Sequence, residues 1–158
     1  MGLEIERKFL VNELSLPPLI GGDRLIQGYL SLSPQVRFRI KEDQVTLAVK
    51  SQREGISRFE FEATKKNVSG EEINELVSLA ILPLIEKTRF RIPFKGYTWE
   101  IDKYGGANLG LVTAEVELPS CDSQPSFPDW IKSEMEVSAD PRFFNTNLAQ
   151  TPFSTWRK

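Results

Sequence analysis

The first feature of the sequence that could do chemistry is a pair of carboxylates and a lysine, spaced two residues apart near the N-terminus. In a β-strand, residues two apart project from the same face, so Glu4, Glu6 and Lys8 share one face. Later segments repeat this spacing, mostly with one sign of charge per segment. They are Arg37, Arg39 and Lys41; Arg58, Glu60 and Glu62; Lys87, Arg89 and Arg91; Glu100 and Asp102; and Glu115 and Glu117.

The sorting of these charges by sign indicates two kinds of ligand. Clustered carboxylates become favourable when a hard divalent cation such as Mg²⁺ or Mn²⁺ lies among them. Clustered arginines and lysines become favourable around a polyanion, because guanidinium groups bind phosphate oxygens bidentately. Together the two patterns favour a complex of a metal ion and a phosphate chain as the ligand.

The composition argues against several other chemistries. No histidine occurs, which removes the commonest general base and the usual zinc ligand. The single cysteine, Cys121, cannot form an intrachain disulfide and is interpreted as structural, in a reducing compartment. A net charge of −2 argues against a broad surface for nucleic acid. The charged N-terminus and the lack of a long apolar run predict a cytoplasmic protein without membrane contact.

The elements that must position these charges are β-strands, because alternation of apolar and polar residues dominates the chain. We predict one domain over residues 1–158 with eight strands, near 3–11, 26–32, 36–41, 45–50, 56–63, 85–92, 97–103 and 111–118. Eight strands can close into a barrel whose lumen holds one small ligand. A β-sandwich with a charged exterior would give the same alternation. A charged lumen would instead leave apolar residues outside, to be covered by helices or a second subunit.

Two stretches depart from the strand pattern. Ser69 followed by Glu72 is a capping box that predicts a helix, with apolar residues at helical spacing from Ile73 to Ala80. Near the C-terminus, Pro128–Asp129 predicts a short helix and Asp140–Pro141 predicts another through Leu148, after which Trp156 is expected to dock.

The opening segment, Glu4–Val11, resembles the E-x-E-x-K start of the CYTH family, also called triphosphate tunnel metalloenzymes. Later segments resemble the family's later blocks in order, as far as about Leu148. These blocks are Gln27–Leu30, Val36–Ile40, Lys50–Ser51, Arg58–Glu62, Glu86–Arg89, Trp99–Asp102 and Ala114–Glu117, then a C-terminal block of Glu136–Val137 and Asp140–Arg142 with Asn145 and Leu148. The resemblance implies an α+β fold in which an eight-stranded antiparallel barrel forms a charged tunnel, flanked by a few helices. It also implies a divalent metal, Mg²⁺ or Mn²⁺, and hydrolysis or cyclisation at a triphosphate.

The resemblance also implies roles for individual residues. The implied metal ligands are the carboxylates Glu4, Glu6, Glu60, Glu62, Asp102, Glu115 and Glu117. The implied phosphate-binding cations are Lys8, Arg37, Arg39, Lys50, Arg58, Lys87 and Arg89. The residues expected to take part in catalysis are Lys8, Tyr29, Lys87 and Glu117, with Tyr29 placed near Lys87 to help activate water. The family pattern is broken at Phe143, where many relatives have tyrosine, and at Ser138–Ala139.

The short chain is similar to the compact bacterial members that act on inorganic triphosphate. The resulting prediction is hydrolysis of tripolyphosphate to pyrophosphate and phosphate, with a homodimer left open. The alternatives are hydrolysis of thiamine or nucleoside triphosphate, cyclisation of ATP as in class IV-type adenylate cyclases, and binding of polyphosphate without cleavage. The presence of all four of Glu4, Glu6, Glu115 and Glu117 favours an enzyme over a binding module.

Overall fold

The computed structural model describes residues 2–156 and contains eight antiparallel strands closed into a barrel. The strands are β1 Leu3–Leu10, β2 Asp23–Leu32, β3 Gln35–Lys41, β4 Gln44–Lys50, β5 Ser57–Lys65, β6 Ile85–Phe94, β7 Tyr97–Tyr104 and β8 Val112–Glu117. Their order around the barrel is β1-β5-β4-β3-β2-β6-β7-β8, so β1 pairs with β8 and closes the wall. The predicted α+β barrel is confirmed, and the sandwich alternative is excluded.

Two α-helices and five short 3-10 helices accompany the barrel in the described part of the chain. The α-helices are α1 Gly70–Ser78 and α2 Asn145–Gln150. The 3-10 helices are Glu13–Ser15, Gly106–Asn108, Ser133–Met135, Pro141–Phe143 and Phe153–Thr155. Within residues 2–156, no helix has both the length and the apolar character needed to cross a membrane.

The apolar core lies outside the barrel, because the strands turn their charged residues inward. On β1, Ile5 and Phe9 are buried in a cluster with Trp99, while Glu4, Glu6 and Lys8 line the interior cavity. Three stretches of the chain cover this outer surface. The segment containing Trp130 and Ile131 covers β1, β7 and β8; α1 packs on Phe38, Ile40 and Val45; and the C-terminal residues around Phe143 and Leu148 pack on Ile85 and Tyr104.

One sector of the outer surface, on β1, β4 and β5, keeps large apolar side chains exposed. Leu3 and Phe59 lie opposite each other in the β1–β5 pairing and are 53% and 49% exposed. Leu47 on β4 is 39% exposed, and Phe61, two residues after Phe59 on β5, is 59% exposed. We call these four residues the apolar strip.

Helix α1 begins as the capping box predicts. The Ser69 hydroxyl accepts a hydrogen bond from the Glu72 backbone N–H at 3.2 Å, which satisfies one of the free N–H groups of the first turn.

Replacing Ser69 with alanine is expected to lower the free energy of unfolding by about 1 kcal/mol, the usual value of a serine N-cap. Chemical denaturation measures this change. Ser78→Ala, at the other end of the helix, is the control, because the Ser78 hydroxyl donates to the Glu75 carbonyl and caps no N–H group. Equal losses in both variants would contradict the capping role.

The C-terminal region differs from the sequence prediction in two places. The predicted helix at Pro128–Asp129 is wrong, since residues 129–130 form only a turn that ends in the buried Trp130. The predicted helix from Asp140 to Leu148 is broken at Phe144, whose backbone is extended at φ −70° and ψ 135°. Trp156 docks as predicted, with edge contacts to the rings of Phe143 and Phe153.

The C-terminal segment also completes the barrel wall beside β1. Strand β1 pairs with β5 only over Leu3–Ile5. Farther along β1, the Val137 N–H donates to the Lys8 carbonyl at 2.8 Å, and Glu136 forms a bridge with Phe9. This segment therefore has a structural role at the edge that β5 leaves open.

Candidate functional site

The barrel encloses a polar cavity of about 560 Å³. Its lining is dominated by charged side chains of both signs from seven strands. Those lining the cavity from the strands are Glu4, Glu6, Lys8, Arg37, Arg39, Lys50, Arg58, Glu60, Glu62, Arg89, Arg91, Glu100, Glu115 and Glu117. Most of the residues that the resemblance implied are thus brought together in one place.

Barrel closure gathers the acidic strands into one sector. Strands β7, β8 and β1 are adjacent, with Glu100 opposite Glu115 and Glu117 opposite Glu6. Residues directly opposite each other in a sheet hold their side chains close together, so like charges at these positions repel. A bound cation would relieve that repulsion.

The Glu6 and Glu115 carboxyls hydrogen-bond to each other. Burial and the nearby charges of Glu115 and Glu4 hold the pKa of Glu6 well above its usual range. Burial also opposes ionisation of Glu115, but the charges of Lys8 and Arg89 outweigh it and hold the pKa of Glu115 well below its usual range. The two carboxyls of this pair are thus perturbed in opposite directions, Glu6 toward its neutral form and Glu115 toward its ionised form.

Glu4 and Glu60 belong to a second cluster, centred on Lys50. The Lys50 ammonium lies 3.2 Å from Glu4 and 2.8 Å from Glu60, and Arg58 donates to Glu4 at 3.2 Å. Burial alone would raise the pKa of Glu4, but the Lys50 and Arg58 charges lower it to about 2. Glu4 is thus ionised at neutral pH.

The opposite wall carries arginines that lack close carboxylate partners. Within the described residues, the Arg39 guanidinium donates to the Gln27 side-chain oxygen alone, at 3.3 and 3.2 Å. Burial and the charges of Arg37 and Arg89 lower the pKa of Arg39 to about 10. Arg37 is 5% exposed, its nearest carboxylate is Glu62 at 3.9 Å, and its Nε has no hydrogen-bond partner in the described residues. Positive charge that the protein leaves unneutralised in a cavity favours an anionic ligand.

Arg89, Lys87 and Asp102 form a buried ion cluster. Arg89 donates twice to Asp102, at 2.7 and 2.9 Å, and the Lys87 ammonium lies 3.0 Å from the same carboxylate. Arg89 also reaches Glu100 at 3.4 Å on the cavity side. Lys87 and Asp102 are absent from the cavity lining; Lys87 instead lines a second, surface cavity at the opposite end of the barrel. Burial lowers the pKa of Lys87 to about 7, with Asp102 partly opposing it.

Lys8 is held where the acidic sector meets the C-terminal segment. Its ammonium lies 3.3 Å from Glu115 and donates to the Phe143 carbonyl at 3.0 Å. Its backbone N–H donates to the Ser138 hydroxyl at 2.8 Å. The departures from the family pattern at Ser138 and Phe143 thus lie beside a predicted site residue.

The contacts of Tyr29 do not place it with Lys87. The Tyr29 hydroxyl accepts a hydrogen bond from the Gln27 amide at 2.9 Å, and Lys87 lies opposite Leu25, four residues earlier on β2. Burial raises the pKa of Tyr29. Tyr29 lines the cavity, but its catalytic role stays a prediction.

The sequence patterns missed several residues of the site. Gln27 is fully buried, and its side chain hydrogen-bonds to both Arg39 and Tyr29. Its position two residues before Tyr29 on one strand could have indicated that it shares the inner face. Arg53 and Phe144 also line the cavity, but they come from connecting segments, where strand periodicity gives no information. The Asn145 side chain accepts a hydrogen bond from the Tyr104 hydroxyl at 2.9 Å and lines the same region.

The acidic sector offers the oxygen donors that a hard divalent cation takes. The residues described contain no group of three or more carboxylates already arranged around a common metal position. The Glu6 and Glu115 carboxyls nevertheless contact each other, which marks a point where a cation could lie between two carboxylates. The donor chemistry of the sector therefore fits such an ion, with Glu4 and Glu117 on the same cavity wall.

Comparison with known proteins gives a consistent result. No family model matches the chain. It is 40% identical to an inorganic triphosphatase of Acetivibrio thermocellus over the full length of both proteins. It is 33% identical to an inorganic triphosphatase of Nitrosomonas europaea, over 92% of this chain and 96% of the relative.

Solved structures agree with these relatives. A crystal structure of an inorganic triphosphatase superposes with a TM-score of 0.63 at 29% identity, covering 92% of this chain and 96% of that one. A protein of Bacillus halodurans shares the fold, with a TM-score of 0.51 at 21% identity over 76% of this chain and 83% of that one.

Proposed function

Because this chain belongs to the CYTH, or triphosphate tunnel, family, we propose that it hydrolyses inorganic triphosphate to pyrophosphate and phosphate inside the barrel. One observation carries the proposal. Arg37 is buried and Arg39 is half-buried, and among the described residues the carboxylate nearest to either is Glu62, 3.9 Å from Arg37. Both arginines line the same cavity as the acidic sector of β7, β8 and β1. A chain of phosphates can neutralise the arginines while its other charges meet a cation on the acidic side.

Mg²⁺ or Mn²⁺ is the cofactor that we propose for this reaction. Glu4, Glu6 and Glu115 would hold it, because their carboxylates line one wall of the cavity, and Glu117 lies beside them on β8. When bound, such an ion withdraws charge from phosphate oxygens and lowers the pKa of water. Glu60 and Glu62 lie farther toward the basic side, in contact with Lys50 and Arg37, and fit better as partners of those cations.

The protein's own residues supply positioning and proton transfer in this proposal. Arg37, Arg39 and Arg89 hold the phosphate oxygens, where charge grows as the terminal bond breaks. Glu117 is the candidate general base, since burial and the charges of Glu4 and Glu100 raise its pKa. Its carboxylate would take the proton of the attacking water as the new P–O bond forms, and pyrophosphate would leave with the electrons of the broken one.

The buried cluster of Arg89, Lys87 and Asp102 has a different proposed role. Asp102 already receives two hydrogen bonds from Arg89 and the charge of Lys87, so little of its capacity remains for a metal ion. We assign it the role of fixing Arg89, whose guanidinium borders the cavity.

Product analysis tests the proposed function. Purified protein is incubated with tripolyphosphate, ATP, thiamine triphosphate and long-chain polyphosphate, each with Mg²⁺, Mn²⁺ or EDTA. We expect phosphate and pyrophosphate from tripolyphosphate with metal, and none with EDTA. Tight binding of tripolyphosphate without turnover in any condition would contradict the enzyme and favour a polyphosphate-binding module.

We also propose that the apolar strip is covered by a second copy of this chain. No backbone hydrogen bond among the described residues reaches β5 from the β1 side beyond Glu60, so the outer edge of Phe61–Lys65 is unpaired. Antiparallel pairing of two such edges around Ala63 would set Phe61 opposite Lys65 and Glu62 opposite Thr64. No like charges would face each other in this register, which favours self-association over repulsion.

We expect the wild-type protein to elute at dimer mass in light scattering at micromolar concentration, and the Phe59→Glu/Phe61→Glu variant to elute as a monomer. The reason is that charge placed in an apolar interface must be desolvated. Leu14→Glu is the control, because Leu14 is 99% exposed and lies in the 3-10 helix after β1, outside the strip. A monomeric wild-type protein would refute the proposal.

A further inference from the structure

The aromatic rings that line the cavity are those of Tyr29 and Phe144, within the described residues. Tyr29 is 2% exposed, and its hydroxyl is bonded to Gln27. Phe144 is only partly buried, so its ring is the more accessible of these two aromatic surfaces for a nucleobase or another flat organic group to stack on.

The guanidinium of Arg53 already occupies a face of this ring. Its central carbon lies 4.9 Å from the centre of the Phe144 ring, within the range of a cation–π contact. The same guanidinium reaches Glu6 at 3.8 Å. Arg53 is therefore held from two sides, by the aromatic face and by a carboxylate of the acidic sector.

The backbone that carries this ring is fixed in place. Phe144 is the first residue before α2, and its carbonyl accepts hydrogen bonds from the Asn147 and Leu148 N–H groups at 2.9 and 2.8 Å. The residues on both sides of it are tied to the barrel interior, Phe143 through Lys8 and Asn145 through Tyr104. A ligand can therefore stack on the ring face that Arg53 covers only if Arg53 moves away from it.

We propose that Arg53 is a specificity-determining residue that restricts the cavity to triphosphates without an organic group. This inference rests on the proposed function and adds the reason for its substrate class. With Arg53 stacked on Phe144, a nucleoside triphosphate must give up its base contact or break the Arg53 contacts with both Phe144 and Glu6. Inorganic triphosphate has no organic group that could stack on the ring, so the Arg53–Phe144 contact does not lower its affinity.

The test compares binding of tripolyphosphate and of ATP by calorimetry in EDTA, so that it does not depend on turnover. Arg53→Ala removes one cation for both ligands, and the ratio of the two Kd values cancels that shared effect. We expect the ratio to shift toward ATP by about tenfold, the lower part of the range for one stacked base.

Two further variants separate stacking from charge. Adding Phe144→Ala to Arg53→Ala is expected to return the ratio to the wild-type value, because the exposed ring is lost. Arg142→Ala is the matched control, since Arg142 also stacks on aromatic rings, those of Phe143 and Trp156, but does not line the cavity. It should leave the ratio unchanged.

An unchanged ratio in Arg53→Ala, with thermal unfolding as in wild type, would overturn the inference. So would a shift that persists in the double variant, because the effect would then not involve the ring. Absence of tripolyphosphate hydrolysis by the wild-type protein would instead contradict the proposed function and leave the binding ratio to decide the role of Arg53.

Discussion

Glu4→Gln is expected to lower metal-dependent release of phosphate from tripolyphosphate by at least ~100-fold, the usual scale for losing one charged group from a preorganised site. Glutamine keeps the shape of glutamate but carries no charge. The Glu4 carboxylate is ionised at neutral pH, because Lys50 and Arg58 lower its pKa to about 2. The variant therefore loses both a proposed metal ligand and the counter-charge of two cations.

Steady-state kinetics with Mg²⁺ and with Mn²⁺ measure the loss, beside a thermal unfolding curve that checks the fold. Glu13→Gln removes the same charge from an exposed 3-10 helix outside the cavity, and it should retain wild-type turnover. Undiminished phosphate release by Glu4→Gln would refute the assignment of Glu4 to the metal site.

Asp102→Asn is expected to be the most destabilising conservative change among the buried charges of the barrel. Asp102 is 0% exposed and is the shared partner of Arg89 and Lys87. At pH 6, below the Lys87 pKa of about 7, removing this charge leaves the Lys87 ammonium without its carboxylate and leaves Arg89 with Glu100 alone, at 3.4 Å. The expected loss is about 3–5 kcal/mol in the free energy of unfolding. Glu72→Gln is the control, because it breaks the exposed Lys65–Glu72 pair at 2.9 Å and should cost less than about 1 kcal/mol. Similar losses in both variants would contradict a buried ion cluster.

The pH dependence of this difference follows from the pKa of Asp102. Burial would raise it, but Lys87 and Arg89 lower it from 3.8 to about 2 in the folded protein. A carboxyl with a depressed folded pKa stabilises the fold above its unfolded pKa and loses that contribution as pH falls through the folded value. The stability gap between wild type and Asp102→Asn should therefore be full above about pH 4 and shrink toward pH 2. A gap that does not change between pH 6 and pH 2 would argue against this pKa.

Much of the fold could be predicted from local sequence because strands impose a period of two. Glu4, Glu6 and Lys8 fall on one face of β1 while Ile5 and Phe9 fall on the other, and the same rule holds on β3, β5, β6, β7 and β8. The Ser69 capping box likewise depends on neighbours three residues apart. The C-terminal segment was harder to predict, since its helix is broken where Phe143 and Phe144 contact Lys8 and Arg53 across the fold.

The sequence by itself determined which charges share a strand face, and hence that carboxylates and arginines are sorted for a cation and a polyanion. Periodicity is a property of one strand and carries no information about its neighbours or about which face turns inward. Only the tertiary structure decided that β1 pairs with β8, so that Glu6 meets Glu115 and the acidic strands form one wall. It also decided that Asp102 forms ion pairs with Arg89 and Lys87. The contact at the cavity between Arg53 and Phe144, which are far apart in the chain, likewise depends on the tertiary structure. These contacts depend on the register and closure of the barrel, which the separate segments do not encode.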